Sequence, residues 1–162
     1  MRQAIDSLTE VPPNTTWRES DQVGRRIDMM VGLLTRAVDP GQTTGVVELV
    51  EHALCRVELT VMEVQDSEYW LSGVFDELSA LHRRACEISR PDPIGLATRW
   101  LDLRLKSPLG LHDGFPERYR DVLGPTGPAT LDRLLETALA KLPAPSPVAA
   151  RTTSKRSWNY SG

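Results

Sequence analysis

Apolar positions along this chain recur at the spacing of a helix. Val23, Ile27, Met30, Val31, Leu34 and Val38 form one stripe on a 3.6-residue period, and Asp39-Pro40-Gly41 predicts its end. A second helix is expected from about Thr44, burying Val46, Val50, Ala53, Leu54, Val57 and Val61. The Val46–Val50 cluster alone would also suit a strand, but its continuation at helical spacing decides for helix. Gln65-Asp66-Ser67 forms the next break, where Asp66 or Ser67 could cap the helix that follows. In that third helix Leu71, Val74, Phe75, Leu78, Leu81, His82, Ala85 and Ile88 share a face.

Arg90-Pro91-Asp92-Pro93 both stops and restarts the chain: Asp92 suits a cap and Pro93 the first turn, where a missing amide costs nothing. Leu96, Ala97, Trp100, Leu101 and Leu105 predict the fourth helix, and Ser107-Pro108 its end. A short helix over 116–123, a Gly124–Pro128 connector and a last helix from about Pro128 through Leu142 complete the body. Ala4, Ile5 and Leu8 suggest a short N-terminal helix that needs a partner to dock on. The expectation is an all-α fold of five or six helices, as an irregular bundle or as stacked antiparallel pairs in the manner of a solenoid. Residues 1–142 read as one domain. Residues 143–162, rich in Pro, Ser, Thr and basic side chains, read as a flexible tail with too little apolar surface to offset ordering.

Composition narrows the function classes. The 162 residues carry a net charge of −3, yet positions 1–150 hold sixteen basic and twenty-two acidic residues, a net −6. An acidic body repels a phosphate backbone and argues against nucleic acid as its partner. No apolar run approaches the ~18 residues of a membrane helix, and the N-terminus lacks the layout of a secretory signal. Only two cysteines, Cys55 and Cys86, are present, which fits a reducing cytoplasm.

Several short stretches together resemble a known family. They are Trp17-Arg18-Glu19, Glu48 to Leu54 (ELVEHAL), Gln65-Asp66-Ser67, Leu81 to Pro93 (LHRRACEISRPDP), and Tyr119 with Val122-Leu123-Gly124. The set resembles an uncharacterised bacterial family of helical domains, often found C-terminal in SWIM zinc-finger proteins, over roughly residues 1–142. The resemblance implies a helical scaffold and no reaction, because the family has none assigned. This chain lacks the Cys-x-Cys and Cys-x-His pairs of a SWIM finger.

The sharpest chemical pattern is His52-x-x-Cys55 with His82-x-x-x-Cys86. Each pair lies on one helical face, and an antiparallel pairing of helices two and three about Asp66-Ser67 sets residue 53 opposite residue 80 or so. Two imidazoles and two thiolates could then hold zinc. Against that stands the habit of cysteines and stripe histidines to be core residues. Glu48, Glu51, His52, Glu77 and His82 miss the Glu-x-x-His spacing of a carboxylate-bridged centre, which leaves a solvated acidic face as the expectation. Asp66, Ser67 and His82 are the residue types of hydrolytic chemistry, but Ser67 sits where a cap belongs. Trp70 and Trp100 read as packing residues, whereas Trp158 and Tyr160 lie in the basic tail.

No catalytic set and no cofactor motif emerges. The sequence predicts a cytoplasmic helical module that binds another protein. A zinc-stabilised regulatory domain built on His52, Cys55, His82 and Cys86 is one alternative, and an enzyme without a recognisable motif is the other.

Overall fold

The computed structural model describes residues 1–13, 15, 17–38, 45–64, 68–110 and 118–140. Seven helices and no strand occur among them: α1 (Arg2–Thr9), α2 (Trp17–Val38), α3 (Val46–Glu63), α4 (Glu68–Ser89), α5 (Pro93–Lys106), α6 (Arg120–Leu123) and α7 (Gly127–Ala140). The fold is all-α. It exceeds the expected five or six helices because the N-terminal segment and the single turn α6 both form.

Helices α1 to α4 surround one core in which α1 packs on α2 and α3, α2 on α3 and α4, and α3 on α4. Contacts between non-consecutive helices define a bundle rather than a row of stacked pairs. Helix α5 packs against α6 and α7, and α4 also touches α6. Leu96, Ala97, Trp100, Tyr119, Leu123 and Leu131 from this second group join the same apolar cluster as the first.

The periodic stripes explain this packing. Every member of the α2 stripe is buried, as are Val46, Val50, Ala53, Leu54 and Val57 of α3 and Val74, Phe75, Leu78, Leu81, His82 and Ala85 of α4. Each large aliphatic side chain so placed is worth about 1.5–3 kcal/mol over its exposed state. One stripe residue departs: Leu105 is 64% exposed while Leu103 is buried. The last turn of α5 turns its outer face to solvent there, so periodicity alone does not secure a partner.

Helix ends follow local chemistry. Gly45 precedes α3 at φ 76, a left-handed conformation that suits glycine, so the helix begins just after the predicted Thr44. Asp92 caps α5 as expected, its carboxylate accepting from the Gly95 amide at 2.7 Å with Pro93 in the first turn. Arg90 closes α4 at φ 46, a position glycine usually takes. The short helix expected over 116–123 is α6 within the described residues. Its first part, the Gln65–Ser67 turn and the 143–162 tail lie outside them, as do the side chains of Trp17 and Trp70.

Candidate functional site

The core admits two groups of polar side chains: Thr9 and Thr60 where α1 meets α3, the Thr60 hydroxyl donating to the Thr9 carbonyl at 2.8 Å, and a larger group that joins α3, α4, α5 and the residue before α6. Glu51 and Glu58 of α3, His82 of α4 and Tyr119 are all buried. A buried polar group costs about 1–3 kcal/mol when unpaired, so its partners must be found.

His82 is fastened at both ring nitrogens. Its Nδ1 lies 2.6 Å from the Tyr119 hydroxyl, and its Nε2 lies 3.3 Å from Glu51 Oε1. The Tyr119 hydroxyl is also 3.3 Å from the Ser79 carbonyl. With a neutral ring, Nε2–H donates to Glu51 and Tyr119 O–H donates to Nδ1. With an imidazolium, both ring N–H groups donate and Tyr119 O–H turns to Ser79 O. Either arrangement leaves no ring nitrogen unpaired.

Glu51 is held from a second side. Arg99 of α5 donates from Nε to Glu51 Oε1 at 3.1 Å, and its Nη1 stands 3.8 Å from Glu48 Oε1. Arg99 Nη2 is buried with no hydrogen-bond partner. The acidic face expected on the second helix is therefore split. Glu51 points inward to a cation and an imidazole, while Glu48 stays partly exposed beside the same arginine.

Glu58 performs a related task one helical repeat later. Its Oε1 accepts from the Ser107 hydroxyl and from the Leu109 amide at 2.9 Å, which ties the end of α5 to the C-terminal half of α3.

The four candidate zinc ligands do not converge. Nε2 of His52 lies 2.8 Å from Asp6 Oδ1, on α1, with Arg56 Nε 3.4 Å from the same oxygen. His82 and Cys86 do meet, at 3.9 Å between Nε2 and Sγ, but that imidazole is already engaged. Among the described residues no group of three or more His, Cys, Asp or Glu side chains is placed to hold a metal ion. The antiparallel register of α3 and α4 is nonetheless the one expected, since residue 51 meets residue 82. What differs is rotation: neighbours on a helix diverge by about 100°, so Glu51 faces α4 while His52 faces α1.

The cysteines are poor nucleophiles. Burial first, and then the Glu51 charge, push the Cys86 thiol from 9.0 to about 12. Burial and Glu58 also raise Cys55. The Tyr119 phenol is pushed up as well, chiefly by burial. A cavity of about 430 Å³ lies between the end of α4 and α6, lined by Glu87, Arg90, Pro93, Asp121 and Val122 with the buried Cys86 behind them. Tyr119 borders a smaller one of about 260 Å³ with Asp76, Ser79, Arg83 and Arg118.

The surface offers a different kind of site. Leu59 and Met62 on α3 and Leu105 and Leu109 at the end of α5 are between 43% and 64% exposed. The bond from Leu109 N–H to Glu58 sets that leucine beside the last turns of α3, and Leu105 lies four residues before it. Arg99, Tyr119 and Glu58 escaped the sequence reading because their roles depend on partners 37 to 51 positions away. Arg83, by contrast, pairs locally with Glu87 at 2.8 Å and adds Asp121 at 3.7 Å.

Fold and site together define a helical bundle with a buried polar seam and several exposed apolar side chains on α3 and near the end of α5. No family model, curated protein or solved structure matches the chain. No helix among the described residues is long and apolar enough to cross a membrane.

Proposed function

We propose that this chain is a helical protein-interaction module whose contact face is the apolar end of α3 and α5. The observation that carries this reading is the exposure of Leu59 and Met62, three residues apart on α3, next to Glu58, which also holds the amide of the exposed Leu109. Exposed apolar side chains that cluster, rather than scatter singly, mark surfaces that another molecule covers. Glu58 supports the same reading, because it fixes Leu109 against α3 and so presents a preformed surface. Preorganisation lowers the ordering cost of association. The resemblance to helical domains with no assigned reaction is in keeping with a binding role.

The test is affinity capture from the source cells with the wild-type chain and with Leu59→Glu/Met62→Glu, whose positions are exposed. A partner retained in fixed proportion by the wild type and lost by a variant that melts as the wild type does supports the reading. Retention of the same protein by the variant, or of none by the wild type, overturns it.

A further inference from the structure

Helix α2 has a second face that is unpartnered among the described residues, and its chemistry is complementary to itself. Its stripe is buried, while Arg25, Asp28, Met29, Leu33 and Arg36 point away from the core. Met29 is 58% and Leu33 40% exposed, a high exposure for two apolar side chains one helical turn apart. Gly32 lies between them, and a Cβ built on it would meet nothing within 4 Å. Another helix can therefore approach the backbone closely at that point.

Charge completes the pattern. Asp28 and Arg36 stand four residues either side of Gly32, one negative and one positive. Neither forms an ion pair among the described residues; Arg36 Nε only donates to its own Gly32 carbonyl at 3.3 Å. When two identical helices cross antiparallel at residue 32, position 32 + n of one meets 32 − n of the other. Each Asp28 then meets an Arg36, while Met29 and Leu33 of both copies gather beside the crossing.

We infer that this face binds a second copy of the same chain, α2 against α2, antiparallel about Gly32. The contact is isologous and closes as a two-fold dimer. The apolar residues supply its affinity, and the two Asp28–Arg36 pairs set register and direction, the usual division between burial and rim charges. This surface lies on a different helix from the α3/α5 end, and the dimer does not rest on the interaction-module reading.

Sedimentation velocity on the full chain, at rising concentration and low salt, tests the inference with four proteins: wild type, Asp28→Arg, Arg36→Asp and the double exchange. The wild type is expected to show a concentration-dependent dimer. Each single exchange places like charges across the axis and should weaken dimerisation by about tenfold or more. The double exchange restores opposite pairs and should restore the dimer, which a contact with an unrelated partner would not do. All four positions of the paired charges are exposed, and thermal melting confirms that each variant is folded. A wild type that stays monomeric, single exchanges that dimerise as well as the wild type, or a double exchange that fails to recover each overturn the proposal. Leu59→Glu/Met62→Glu is expected to dimerise normally, which separates this result from that of the α3/α5 face.

Discussion

His82 Nδ1 and the Tyr119 hydroxyl lie 2.6 Å apart inside the core, although 37 positions separate them in the chain. Tyr119 thereby fastens the segment before α6 to α4, and Glu51 with Arg99 extends the same fastening to α3 and α5. The cluster is a structural joint between the four-helix bundle and the α5–α7 group.

Removing one side of that joint has a definite cost. Tyr119→Phe keeps the ring and deletes the hydroxyl, leaving His82 Nδ1 buried without its partner. The expected loss is about 1–3 kcal/mol, read as a lower urea midpoint with an unchanged slope. A change within error would show that the hydroxyl contributes nothing to the joint.

Glu58 should separate charge and shape in the same way. Glu58→Ala removes the acceptor shared by the Ser107 hydroxyl and the Leu109 amide and empties a buried side-chain site, and is expected to cost about 1–3 kcal/mol. Glu58→Gln keeps an acceptor oxygen and should lose less. Hydrogen exchange at the Leu109 amide gives a local check: protection should fall in the alanine variant and largely survive in the glutamine one.

Burial of Cys86 makes stability depend on alkaline pH. Its folded-state thiol is raised from 9.0 to about 12, so the folded chain holds its proton longer than the unfolded chain does. The associated stability is complete below pH 9 and is lost as pH rises toward 12. Tyr119, raised by burial, acts in the same direction. Denaturant midpoints should therefore decline above pH 9, and Cys86→Ala should flatten the decline. Alkylation by iodoacetamide at pH 8 should modify Cys86 only under denaturing conditions. Rapid labelling of Cys86 in the folded protein would contradict this burial.

Gly127 opens α7 against the end of α6. A Cβ there would overlap Cβ of Leu123, itself a fully buried core residue. Gly127→Ala is expected to destabilise by about 1–3 kcal/mol through overpacking, despite alanine's better helix propensity. A thermal midpoint equal to or above the wild type would show that the α6–α7 joint yields freely. Alanine at Gly73 of α4, exposed and with open space for the added Cβ, serves as the control and should be neutral or stabilising.

The sequence by itself determined the helices, most of their core faces and their stops. Those properties depend on neighbours within a turn or two: the Val23–Val38 stripe, the Asp92 cap before Pro93, and the break at Arg90-Pro91. It also determined the antiparallel register of α3 and α4, because a short turn between two helices leaves little freedom in which residues meet. Rotation about each helix axis was a tertiary decision. Glu51 and His52 are adjacent in sequence, yet one is buried against His82 and Arg99 while the other reaches Asp6 on α1. The candidate zinc quartet was divided by that rotation, and the joint through Glu51, His82 and Tyr119 was created by it. Likewise, periodicity marked Leu105 as apolar, but whether an apolar face finds a partner depends on where the other helices stop. Local propensity acts over a few residues, whereas the pairing of buried polar groups is settled when distant helices dock and each group must find a partner out of water.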